Sequence, residues 1–171
     1  MKNKIIQFSM LLFIILSAFS CKNATQEVKT IEKVSKPKVF NNSKELVVAA
    51  KEEIEQISPE QLETQLKKGD VYVIDVREKS EFDNGSIPGA VLIPRGLLEF
   101  KIGKDVFWDG VKMKMPNKDQ KIVIYCKSGG RGSLATKSLQ QMGYKNVENL
   151  EGGYQGWVEQ YPNKISVEKI K

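Results

Sequence analysis

The sequence predicts an α/β fold, a three-layer sandwich in which a central, mostly parallel sheet is flanked by helices. Two observations carry that expectation. The runs Val71-Tyr72-Val73-Ile74 and Ile122-Val123-Ile124-Tyr125 are continuously apolar, as strands buried on both faces of a parallel sheet are; a half-solvated strand would alternate. Segments with helical spacing and helix start or stop residues then separate the strand-like runs, the alternation expected when parallel strands are joined by helical crossovers. The pattern occupies residues 58–162, about a hundred residues, a usual size for one domain with its own core.

The elements follow in order. Residues 43–57 read as a helical lead-in, with the run Lys44 to Ile54 helix-like after Ser43. Ser58 is a capping residue, Pro59 the first helical position and Gln61 the third residue of a capping box. Leu62 and Leu66 share one face, and Gly69 stops the helix. Val71 to Ile74 is the first strand, with Asp75 at its polar carboxyl end, and a short helix follows over Glu78 to Phe82. Pro88-Gly89 is a turn and Ala90 to Ile93 a brief second strand, after which Gly96 to Phe100 reads as helical. The third strand ends at Cys126. A helix runs from about Gly132 to Met142 with Gly143 as its stop, Val147 to Leu150 makes a fourth strand, and Tyr154 to Gln160 is a closing helix. Residues 163–171 are a C-terminal tail.

The N-terminal end has a different character. Lys2 and Lys4 precede the apolar stretch Met10 to Leu16 and the small residues Ser17, Ala18 and Ser20, the charged, apolar and small-residue regions of a secretory signal peptide over residues 1–20. Ala18-Phe19-Ser20-Cys21 resembles a bacterial lipobox, with Ala18 where the pattern prefers Leu. That resemblance implies lipidation at Cys21, and so an exported protein anchored to the bacterial cell envelope, with residues 21–42 as lipid attachment and polar tether. The alternative is an ordinary cleaved signal. Two units of the formal charge of +6 belong to Lys2 and Lys4. The remaining basic residues are spread along the chain without interleaved aromatics, which argues against nucleic-acid binding.

If Cys21 is acylated, Cys126 is the only other cysteine of the chain, a lone thiol in an oxidising compartment. It ends a buried strand and opens Cys126-Lys127-Ser128-Gly129-Gly130-Arg131, a Gly-rich basic loop that leads into a helix. In open parallel sheets, ligands sit at the carboxyl ends of strands. The combination points to thiolate chemistry on an anion.

Four segments in register resemble the rhodanese family, specifically its single-domain sulfurtransferases. They are Val73-Ile74-Asp75-Val76-Arg77-Glu78 with Glu81-Phe82, then Ser86-Ile87-Pro88-Gly89-Ala90, then residues 126–131, and finally Asn149-Leu150-Glu151-Gly152-Gly153-Tyr154-Gln155-Gly156-Trp157. The resemblance implies that Cys126 is the sulfur-carrying nucleophile and that Lys127, Ser128, Gly129, Gly130 and Arg131 cradle the substrate. It implies transfer of sulfane sulfur from a small anionic donor such as thiosulfate to cyanide or a thiol, a protein thiol included, by a monomer that needs no metal or organic cofactor. The family commonly has His where Ser86 stands. This chain contains no His, which excludes a Cys-His mechanism, and the position belongs to a structural turn.

Only a thiolate starts sulfur transfer, and an unperturbed thiol, with a pKa of ~8.5, is mostly protonated at neutral pH. A helix dipole contributes only ~0.3–1 kcal/mol at an exposed site, so inward-facing loop N–H groups with Lys127 and Arg131 are expected to supply the rest. Two other functions are weighed against this one. Phosphatase or arsenate reductase chemistry also uses Cys and Arg on one loop, but those loops resemble Cys-x5-Arg where this chain has Cys-x4-Arg. A catalytically silent rhodanese-fold module that binds a partner would be free to lose both the Cys and the basic loop.

Other residues are read more plainly. Asp75 and Arg77 are expected to brace loops, and Tyr154 and Trp157 to pack in the core. Ser128 either donates to sulfur or suits the turn, and Ser133 is a candidate helix cap. Trp108 either walls the mouth of the site or packs locally, and Lys112-Met113-Lys114-Met115 alternates like a short exposed strand.

Overall fold

The computed structural model describes residues 38–167. The expected signal peptide, the expected lipidation site Cys21 and most of the expected tether lie outside the described residues. The domain, which starts at Val39, contains β1 (Glu55–Ile57), β2 (Val71–Asp75), β3 (Val91–Leu92), β4 (Lys121–Tyr125) and β5 (Val147–Leu150) in one sheet of order β1-β5-β4-β2-β3. Every pairing is parallel. The helices are α1 (Ser43–Glu52), α2 (Pro59–Lys68), α3 (Lys79–Asp83), α4 (Leu98–Lys101), α5 (Asp105–Gly110), α6 (Gly130–Gln141) and α7 (Gly153–Gln160), with a 3-10 turn over Arg95–Leu97 before α4. This is the expected α/β sandwich with its central parallel sheet.

Strand β4 lies between β5 and β2, which is why its sequence is continuously apolar. Successive side chains of a strand point to opposite faces, and the two core clusters divide accordingly. Ile122, Ile124 and Cys126 pack with Ile74, Leu98, Trp108, Ala135 and Leu139 on one face. Val123 and Tyr125 pack with Leu62, Leu150 and Trp157 on the other. Cys126 therefore points to the side covered by α6.

Local signals place the helix ends. Ser58 Oγ accepts the Gln61 N–H at 3.3 Å while Gln61 Oε1 accepts the Ser58 N–H at 2.9 Å, the reciprocal capping box read from sequence. The lead-in over 43–57 needs correction: it is two elements, since α1 stops at Glu52 and residues 55–57 form the edge strand β1 against β5, with Ile57 opposite Leu150. Three residues are too few to show a period, and the unpaired edge of β5 decides their conformation. Helix α1 packs against α6 and buries Ala49 and Ala50.

The insert between β3 and β4 also departs from expectation. Asp105–Gly110 is helical, and Trp108 is 1% exposed with its indole N–H donating to the Ile102 carbonyl at 2.8 Å. Tyr72 and Phe107 meet its ring edge to face, with centroids 5.7 and 5.3 Å away. Local packing is thus the role of Trp108. Residues 112–115 are not a strand. Lys112 takes a left-handed turn at φ 56, and Met113 and Met115 pack against the core. Ser86 exchanges backbone hydrogen bonds with Ser166 at 2.8 and 2.9 Å, so this position is a structural turn tied to the tail.

Because Trp108 fills the interior and satisfies its N–H there, Trp108→Ala should destabilise the fold by ~3–5 kcal/mol. Urea unfolding followed by circular dichroism measures this; a loss below ~1 kcal/mol would mean that the insert packs independently of the core.

Candidate active site

The carboxyl ends of β2 and β4 and the start of α7 meet around Cys126, which is 2% exposed. The Gly129 N–H donates to Cys126 Sγ at 3.2 Å. Gly129 adopts φ 94, a left-handed conformation that costs little without a Cβ, and this turn aims its amide at the sulfur. Gly129 is also the N-cap of α6, so the thiol faces the positive end of a twelve-residue helix. Ser133 does not cap that helix through an N–H. Its hydroxyl donates back to the Gly129 carbonyl at 2.8 Å, beside the Ser133 N–H at 2.9 Å, and so holds the first turn closed.

The loop is fastened from below by α7. The Tyr154 N–H donates to the Cys126 carbonyl at 2.7 Å, and the Gln155 N–H to the Lys127 carbonyl at 3.0 Å. These bonds turn two loop carbonyls away from the sulfur. A Cβ on Gly153, which sits at φ 58, would overlap the Cys126 carbonyl oxygen and lie 2.9 Å from the Ser128 and Gly129 nitrogens. Gly153 in the last matching segment therefore lets α7 touch the loop, while a Cβ on Gly152 would instead press on Gly156 of the same helix, 3.1 Å from its Cα.

Of the predicted site residues, Cys126, Gly129, Gly130 and Arg131 come together at the strand end and helix start. Lys127 and Ser128 lie on the exposed outer side of the loop. Among the described residues, neither side chain has a hydrogen-bonding partner. Arg131 is held in a two-pronged pair with Glu81, with Nη1 to Oε2 at 2.8 Å and Nη2 to Oε1 at 2.9 Å. Hydrogen bonds from Arg131 hold the Glu81 carboxyl down to about 2, against the opposing effect of burial. The same hydrogen bonds raise Arg131 above its ordinary value, burial works against them, and the charges of Glu81 and Cys126 add to the rise. Glu81 also accepts the Glu78 N–H at 3.1 Å and so caps α3.

Asp75 and Arg77 brace the site as expected. The Arg77 side chain donates to both Asp75 oxygens at 2.7–3.0 Å and to the Gly85 carbonyl at 2.7 Å, and its guanidinium lies 4.1 Å from the Tyr154 ring centroid. The pair is buried, which also holds the loop between α3 and β3. Burial, with the charge of Asp75, pushes the Tyr125 hydroxyl well above its usual range; it stays neutral beside the Ile87 N–H that donates to it at 3.2 Å.

Sequence reasoning missed the role of Glu81. It stands 50 residues from Arg131, and only its sign and its place after β2 hinted at the pairing. It also missed Gly153, whose need for close approach is visible only once α7 is in place.

A buried thiol on a Gly-rich loop at the carboxyl end of a central parallel strand is the architecture that the family resemblance implied. The chain belongs to the rhodanese family: the Rhodanese-like domain matches residues 58–160. A protein of Allochromatium vinosum named sulfurtransferase is 36% identical over 88 residues, covering 52% of this chain and 72% of that one. The human thiosulfate:glutathione sulfurtransferase is 32% identical over 108 residues, 60% of this chain and 92% of that protein. Among solved structures, a human single-domain sulfurtransferase superposes with a TM-score of 0.58 at 30% identity over 61% of this chain and 96% of its own. A Rhodopseudomonas palustris protein of unknown function, described as a possible tyrosine phosphatase, gives 0.60 at 31% identity over 74% and 96%.

Because the folded Glu81 carboxyl titrates near 2, below its ordinary 4.5, its contribution to stability is complete above 4.5 and is lost as pH falls through about 2. Glu81→Gln should therefore be less stable than the wild type at pH 7, by only ~0.5–1 kcal/mol because water reaches both partners. The gap should narrow between pH 4.5 and 3. Urea midpoints at pH 7, 4 and 3 measure it; a gap independent of pH would show that the charge of Glu81 is not what holds Arg131.

Proposed function

We propose that the protein is a sulfurtransferase that carries sulfane sulfur as a persulfide on Cys126. The observation that carries the reading is the Cys126 sulfur seated under the Gly129 N–H at the start of α6. The Cys126 thiolate attacks the outer sulfur of a donor such as thiosulfate. A new S–S bond forms, the donor S–S bond breaks, and sulfite leaves with the electron pair. Sulfite is a stable anion, so no acid is required. An acceptor thiolate or cyanide then attacks the outer persulfide sulfur and departs as a persulfide or thiocyanate, and the Cys126 thiolate returns. Electrons balance without an oxidant. The cradle's part is to hold negative charge on sulfur in both forms, through the loop amides and the helix end.

The names of the relatives support this reading, and the human one supports a thiol acceptor. The length of the loop favours it over phosphatase chemistry, because Cys126 to Arg131 is Cys-x4-Arg where phosphatase loops resemble Cys-x5-Arg. The intact Cys and loop favour it over a silent binding module. The N-terminal residues support a further part of the proposal: export as a lipoprotein, with acylated Cys21 anchoring the domain to the bacterial envelope through the tether that follows.

Incubation with thiosulfate followed by intact-mass measurement should add one sulfur atom to the protein, and Cys126→Ser should abolish the gain. No addition by the wild type, or hydrolysis of an aryl phosphate instead, would overturn the proposal.

A further inference from the structure

Helix α1 precedes the matched family region, yet it reaches the active-site loop. Val47, Ala50 and Lys51 share one face at i, i+3 and i+4, and that face meets the start of α6. A Cβ on Gly130 would lie 3.7 and 3.8 Å from the two Val47 methyl carbons, and a Cβ on Gly129 would lie 3.9 Å from Lys51 Nζ. Gly129 is the residue whose amide holds the Cys126 sulfur. Helix α1 is fixed at both ends and along its buried face. The Asn42 side chain accepts the Glu45 N–H at 3.0 Å to cap it, Glu53 pairs with Lys137 of α6 at 2.7 Å, and Ala50 is 1% exposed.

The charges around the loop make this position informative. Arg131 is neutralised by Glu81 and Arg77 by Asp75, so neither leaves net positive charge for an arriving anion. Lys51 is half-buried against the loop and, among the described residues, has no ion pair or hydrogen bond. Its ammonium lies beside the turn on a helix that packs against α6. We propose that Lys51 is a specificity-determining residue of this site, adding to the exposed Lys127 a positive charge that favours anionic sulfur compounds over neutral ones. The inference rests on the sulfurtransferase reading and deepens it, because a thiolate attacking a dianionic donor must overcome mutual repulsion that a nearby cation reduces.

The test uses the full chain as wild type, Lys51→Ala and Lys51→Arg, with Cys126 alkylation followed by peptide mass spectrometry. Iodoacetate is the anionic probe and iodoacetamide the neutral one. Any change in the thiolate population scales both rates equally, so their ratio reports the field that an arriving anion meets. Lys51→Ala should slow iodoacetate about three- to fivefold, the size expected of one half-exposed charge, and leave iodoacetamide unchanged. Lys51→Arg should restore the ratio, and the difference should vanish in about 1 M salt, where the screening length is about 3 Å. Thiosulfate carries two negative charges to iodoacetate's one, so its turnover should lose more in kcat/KM, roughly the square of that factor, through KM. An unchanged ratio, or both rates falling together, would overturn the inference while leaving wild-type sulfur uptake intact. If the wild type takes up no sulfur from thiosulfate, the sulfurtransferase reading fails and the donor role of Lys51 falls with it, whatever the alkylation ratio.

Discussion

The contact on which the site depends is the approach of α7 to the loop after β4. Two amides of its first turn hold the Cys126 and Lys127 carbonyls, and that closeness is possible only because residue 153 is glycine. A buried carbonyl must find a donor, since leaving it unpaired costs ~1–3 kcal/mol. By supplying those donors from outside, α7 frees the loop to turn an N–H toward sulfur. The left-handed turn at Gly129 completes the reversal, and α6 begins from the same residue. One crossing of backbone segments thus sets the strand end, the cradle and the helix axis together.

Charge is distributed with similar economy. Two arginines near the thiol are each tied to a carboxylate, so they lock the geometry of α3 and of the loop between α3 and β3 and add little net field. Glu81 serves α3 and α6 at once, by capping the first and clamping the first turn of the second. In the proposed chemistry this leaves the loop amides, the helix end and, among the described residues, Lys51 and Lys127 to deal with the substrate. That division suits a transfer whose leaving group needs no proton and whose carried atom is small.

Much of the fold was legible because its signals are local. The runs of β2 and β4 are apolar from end to end because both faces are covered, and the Ser58 capping box and the Gly69 stop are written within a few residues of each other. What was not legible depends on pairing at a distance. Residues 55–57 become a strand only because β5 offers an edge, and Met113 and Met115 alternate with lysines for packing reasons that no exposed strand shares. In the site, Cys126 and its loop stood out by composition and order. Glu81 carried no such mark, since an acidic residue on a short helix has many uses. Lys51 lay in a segment whose docking no periodicity could reveal.

The central claim, that sulfur is carried within the amide cradle, is tested most directly by the backbone NMR resonance of Gly129 before and after one equivalent of a sulfane donor. Seating an extra sulfur atom on Cys126 should shift the Gly129 amide and its neighbours over residues 127–132, with Tyr154 following, while the far ends of the strands stay fixed. Sulfur uptake with an unmoved Gly129 amide would contradict a persulfide held where the structure places the thiol.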